Sequence, residues 1–212
     1  AINCIFVFRN ISYMTSEILK QLHWRYACKK FDATYTLSQE KLALLKESFN
    51  LTATSYGLQP LKMVVISDPK IKEDLVSRTM NQAQVKDCSH LIVLCTETNM
   101  DAAFIEGYFQ NVQQIRNTPE KVLAPFKAFL MADFKSKSSE TKDMWMAKQA
   151  YIALGNLLTV CAIEQIDACP IEGFDTVQYD SYLNLTEIGL RSVLLLAVGQ
   201  RDQNDIFASM PK

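Results

Sequence analysis

From Asp143 to Gln165 the chain carries a helical pattern, some 22 residues long and about 33 Å at 1.5 Å per residue. It is apolar on nearly every side around Ala150, Ile152, Leu154, Leu157 and Leu158. A helix of that kind is buried on more than one face. In a chain of 212 residues the simplest cover is a core on one side and a second subunit on the other. The pattern therefore predicts an assembly as well as a core helix.

Around it the other elements fall in an irregular order. Thr15 or Ser16 can cap a helix that turns Ile18, Leu19, Leu22 and Trp24 toward a core. Ser38 can cap a second, through about Phe49, with Leu42, Leu45 and Phe49 at helical spacing. Leu61 to Ser67 reads as a strand, and Asp68-Pro69 as the N-cap and first residue of a short helix. His90 to Thr96 is an apolar run of strand length, expected in the middle of a sheet, and Arg191 to Gly199 is a last strand. Helices over Met100 to Ile115 and Glu120 to about Phe134 precede a polar surface turn over Lys135 to Lys142. Strands and helices do not strictly alternate, which favours α+β over a doubly wound fold. Neither G-x-G-x-x-G nor G-x-x-x-x-G-K-[ST] occurs.

Composition removes several classes of function. The formal net charge is −1 with no basic stripe, so a nucleic-acid partner has no electrostatic footprint. Apolar stretches such as Ser192 to Gly199 are too short to span a bilayer, so no membrane partner is expected. Cys4, Cys28, Cys88, Cys95, Cys161 and Cys169 show no C-x-x-C spacing, and the histidines are His23 and His90 alone, so no metal is expected. The cysteines sit in apolar surroundings and read as reduced, packed side chains of a cytoplasmic protein. Residues 14–212 read as a single domain. The apolar segment 1–13 reads as an upstream extension or artefact ahead of Met14, with an extra strand or arm as the other reading.

Four segments carry chemistry. Arg25-Tyr26-Ala27-Cys28-Lys29-Lys30-Phe31-Asp32 places cations at a helix end. On its own it would be a solvated, dipole-stabilised terminus, although arginine also forks onto phosphate. Thr52-Ala53-Thr54-Ser55-Tyr56-Gly57-Leu58-Gln59-Pro60 is a hydroxyl-rich loop whose Gly57 opens conformations closed to other residues. Met80-Asn81-Gln82-Ala83-Gln84 precedes the central strand, with His90 expected as a satisfied core or edge histidine. Trp145-Met146-Ala147-Lys148-Gln149, then the long helix, leads to Cys169-Pro170-Ile171-Glu172-Gly173-Phe174-Asp175.

In order and spacing these segments resemble the nitroreductase family over residues 14–212, with Pro170-Ile171-Glu172-Gly173-Phe174 the most specific string. The resemblance implies an α+β nitroreductase fold, a mixed, mostly antiparallel sheet flanked by helices, in an interleaved homodimer. It implies FMN as cofactor and NAD(P)H as co-substrate, with ping-pong hydride transfer through flavin N5 to a small-molecule acceptor such as a nitroaromatic or quinone. A flavin-binding redox sensor or electron carrier, flavin degradation and reductive dehalogenation are the alternatives. By the same resemblance Arg25, Tyr26, Ala27 and Lys29 bind the flavin phosphate and pyrimidine. Ala53, Thr54, Ser55 and Gly57 lie on the partner's flavin, Asn81 and Gln84 contact the pyrimidine, and Gln149 reaches the flavin from its helix. Pro170 and Ile171 lie against a ring face, and the backbone N–H groups of Glu172 and Gly173 approach N5 and O4, where donors stabilise developing charge. Thr54, Ser55, Pro170 and Gly173 are expected to complete a site begun by the other chain's Arg25 and Asn81. No catalytic side chain is expected. Met131 and Phe134 fall where the family rims its substrate slot, with core packing as the alternative. Lys212 matches a C-terminal phosphate lysine, whose usual following arginine and crossing arm are absent from this sequence, which is expected to leave a sheet edge open.

Overall fold

The computed structural model describes residues 16–212. The expectations placed on 1–13, on Thr15 as a cap and on Cys4 lie outside the described residues.

Among the described residues the sheet has four strands, β1 (Leu61–Ile66), β2 (His90–Glu97), β3 (Asp167–Ile171) and β4 (Leu190–Gly199), in the order β1-β2-β4-β3. Every strand pair is antiparallel. Among the described residues the parallel contact is an isolated bridge, Ala27 to Ala168. β2 and β4 lie in the middle because side chains on both their faces are apolar. Leu91, Val93 and Cys95 of β2 and Leu195 and Ala197 of β4 enter one core layer. Ile92 and Leu94, with Leu194, Leu196 and Val198, enter the opposite layer. This is the period of two expected of a doubly covered strand.

The first layer is roofed by α3 (Pro69–Val76), α4 (Gln84–Asp87) and α8 (Thr176–Tyr182). Asp68 caps α3 through the amides of Lys70 and Ile71, with Pro69 in its first turn. The second layer is roofed by α2 (Gln39–Asn50) and α7 (Ser139–Ile163). A third cluster joins α5 (Ala102–Arg116), α6 (Glu120–Ser136) and the start of α7 around Ile105, Phe109, Leu130, Phe134 and Met146.

α7 runs 25 residues, four more at its start than the sequence pattern showed. Ser138 caps it through the Thr141 amide, so the expected turn over Lys135 to Lys142 shrinks to Lys137 and Ser138. By length and composition α7 is also apolar enough to cross a membrane, which corrects the expectation that no stretch was. Here it packs against α1 (Glu17–Trp24), α2 and all four strands. Ser16 caps α1 as expected, yet Ile18 and Leu19 stay exposed rather than entering the core. β3 and α8 were not foreseen. Pro170 sits in β3 because that strand is at the sheet edge, where a missing N–H costs no ladder bond.

Candidate active site

The first group of candidate residues gathers where α1 ends. Arg25 is its half-buried C-cap, with its amide donating to the Gln21 carbonyl at 3.0 Å. From there the chain turns extended and runs beside β3, where the Cys28 amide donates to the Ala168 carbonyl at 3.1 Å. Lys29 is exposed, and Tyr26 donates its hydroxyl to Asp205 at 2.9 Å. Lys212 arrives from the other end of the chain, and its Nζ donates to the carbonyl of Leu22 in α1. Burial, then the charges of Arg25 and Arg201, hold the Lys212 ammonium below the ordinary lysine range. Arg201 stacks on Trp24 and Tyr26, 4.3 and 4.7 Å from their ring centroids, and bonds Asp167 at 2.8 Å.

Beside this cluster lies the Pro170–Gly173 turn. The Gln82 side chain donates to the Gly173 carbonyl at 3.0 Å. A Cβ on Gly173 would sit 3.1 Å from the Met80 sulfur and 3.3 Å from Gln82 Nε2, so the close approach of the 80–82 turn fills the space at this glycine. Met80 and Asn81 are both left-handed (φ 52° and 58°), a strained pair of the kind concentrated at functional sites. Gln84 opens α4 and is half-buried. Gly173 thus lies against Met80 and Gln82, on either side of Asn81 in the same chain.

The second group is the loop from Ala53 to Gln59. Its backbone is bent by Tyr56, Gly57 and Gln59, all at positive φ (58°, 69° and 46°). A side chain on Gly57 would meet that strain and also the Tyr108 hydroxyl, 3.1 Å away. Gln149 is buried in α7 and accepts from the Ser55 amide at 2.8 Å, while its Nε2 donates to the Trp145 carbonyl at 3.0 Å. Through these two bonds Gln149 ties the loop to α7. Ala53, Thr54 and Gly57 line a cleft of about 770 Å³ against Phe104, Gly107 and Tyr108 of α5. Phe134 is 1% exposed and packs edge-on to Trp145 at 5.1 Å, the core packing that the sequence offered as the alternative, and Met131 is half-buried beside it. The aromatic rings that reach the surface here are Tyr56, Phe126 and Phe129, the last two stacked at 6.3 Å.

α7 separates the two groups. Gln149 reaches Ser55, and Tyr151 donates its hydroxyl to the Glu172 carboxylate. Two residues on a helix are roughly 200° apart at 3.6 residues per turn, so the two groups lie on opposite sides of α7.

The sequence profile of the nitroreductase family matches residues 22–200. The chain belongs to the nitroreductase family. An oxygen-insensitive NAD(P)H nitroreductase of Enterobacter cloacae is 32% identical over 196 residues, 89% of this chain and 90% of that protein. A nitroreductase-like protein of Streptococcus mutans superposes with a TM-score of 0.79 at 22% identity, over 92% of this chain and 91% of the other. A structure from Exiguobacterium sibiricum, solved in complex with FMN, superposes with a TM-score of 0.79 at 17% identity, over 93% and 92%.

For a nitroreductase-family chain, two features of this site escaped the sequence. Asp205 and Arg201 are isolated charges in a polar tail, with no motif to single them out, and only the fold brings them to Tyr26. Among the described residues the cysteines are buried and add no nucleophile. Burial pushes the Cys28, Cys88, Cys95 and Cys161 thiols up to about 12, so they stay protonated at neutral pH.

Proposed function

We propose that this chain is an FMN-dependent NAD(P)H oxidoreductase in which one slot is occupied alternately by NAD(P)H and by a small acceptor such as a nitroaromatic or a quinone. The observation that carries the reading is the meeting of Arg25 and Lys212 at the end of α1, where Lys212 bonds the Leu22 carbonyl and is depressed first by burial and then by the charges of Arg25 and Arg201. Such a charge density suits a doubly charged terminal phosphate, which relieves the repulsion. The residues present fit FMN: cations for its phosphate beside the Pro170–Gly173 turn, whose backbone is drawn tight by Gln82.

Bound FMN supplies the hydride-accepting and hydride-donating centre. The chain's own groups do the rest. Arg25, Lys29 and Lys212 bind the phosphate. Asn81 and Gln84 offer hydrogen bonds to the pyrimidine edge. The Glu172 and Gly173 amides face developing negative charge, as preorganised donors do. Pro170 and Ile171 shield one ring face from water. Because the 53–57 loop lies across α7 from these residues, it serves a second copy's cofactor, which makes the working unit a homodimer.

The test is a visible spectrum of the purified protein with flavin released by denaturation. One FMN per subunit is expected, bleached in anaerobic titration by NADH or NADPH and reoxidised by a quinone. FAD in the supernatant, or no flavin bound after reconstitution, would overturn the reading. Flavin that binds but turns over no NAD(P)H would favour a sensor or electron carrier.

A further inference from the structure

Arg25 and Lys212 stand on segments at opposite ends of the described chain, and a single carboxylate joins those segments. Asp205 is 6% exposed. Its Oδ2 accepts from the Tyr26 hydroxyl at 2.9 Å and from the amides of Lys29 and Lys30 at 2.8 and 3.0 Å. Its Oδ1 accepts from the Phe207 amide at 3.1 Å, capping the short 3-10 turn Ile206–Ser209 that leads to Lys212. On one side, then, it grips the stretch that begins directly after Arg25. On the other it grips the turn that delivers Lys212. Tyr26 is further fixed by the Arg201 guanidinium stacked on its ring, 4.7 Å from the centroid.

We propose that Asp205 is a positioning residue for the cofactor phosphate, setting the spacing of Arg25 and Lys212 by clamping residues 26–30 to the C-terminal turn. This rests on the flavin reading above. The carboxylate acts through the chain, because its oxygens are already taken by the donors that converge on them. An ionised carboxylate is what the geometry requires, since it is acceptor-only at both oxygens. In Asp205→Asn one of those oxygens becomes an NH2 that faces a backbone N–H, either at Lys29 and Lys30 or at Phe207. One side of the clamp opens while size and shape are kept.

Riboflavin separates positioning of the phosphate site from a general loss of structure, because it carries the ring of FMN without the phosphate. Wild-type and Asp205→Asn apoprotein are titrated with FMN and with riboflavin at one pH and ionic strength, reading flavin fluorescence. FMN affinity is expected to fall about tenfold, the order of one charge-assisted contact misplaced, and riboflavin affinity by less than about twofold on the same scale. Equal losses for the two ligands, or no loss for either, would overturn the proposal while leaving the flavin reading intact. A wild-type protein that binds neither ligand would overturn both. Should Asp205→Asn not fold, Tyr26→Phe removes one donor and leaves the carboxylate in place. Its FMN affinity is expected to fall about threefold, again selectively, and an equal fall for riboflavin rejects the clamp.

Discussion

Arg25→Ala is expected to weaken FMN binding by about tenfold to a hundredfold, while Lys30→Ala leaves it within about twofold. The two side chains are five residues apart in one basic segment, and composition alone cannot rank them. The fold does. Arg25 is half-buried at the end of α1, the helix whose Leu22 carbonyl accepts from the Lys212 ammonium. Lys30 points to solvent, 53% exposed, and its Nζ pairs with Asp202 at 3.3 Å. Losing a charge-assisted contact to phosphate costs roughly 1.5–3 kcal/mol, whereas an exposed pair of the Lys30 kind is worth about 1 kcal/mol or less. Titration of the apoproteins at fixed ionic strength gives the comparison. Equal effects would place the phosphate elsewhere and undo the assignment of the whole first segment.

Leu157→Ala should produce the largest loss of stability, about 2–5 kcal/mol. Leu157 is fully buried in the layer between α7 and the sheet, in one cluster with Ile92, Leu94, Leu194 and Leu196. The β strands beneath it cannot move inward to fill the gap, since their other face is already packed against the opposite layer. The residual cavity therefore adds to the lost transfer free energy. Urea unfolding at one protein concentration measures it, with the midpoint expected to drop at an unchanged slope. A loss under about 1 kcal/mol would mean that α7 settles onto the sheet, against the packing described here.

Much of the fold could be read before the structure, because the features involved are local. The apolar runs of β2 and β4, the Asp68-Pro69 start of α3 and the Ser38 cap of α2 each state their structure within a few residues. β3 was missed because its five residues include a proline, and whether a proline suits a strand depends on that strand lying at the edge. Gln149 sits in a recognisable string, but its hydrogen bonds to Ser55 and Trp145 are decided by how α7 lies against the 53–59 loop. The same dependence on tertiary packing moved Phe134 into the core and brought Gly173 to Met80 and Gln82. Locally Asp205 is only the cap of a short turn, since the donors to its Oδ2 are at least 175 residues away along the chain and meet it through the Cys28–Ala168 contact and the pairing of β3 with β4.

Met144, Tyr151, Ile152 and Ile163 stand between 47 and 60% exposed along α7, with Ile18 and Leu19 bare on the neighbouring α1. In the homodimer proposed above, these side chains enter a shared interior, and folding, pairing and cofactor retention become one linked equilibrium governed by mass action. The melting temperature would then climb with protein concentration. Dilution would bleed flavin from the sample, because separating the two copies dismantles both halves of every site at once.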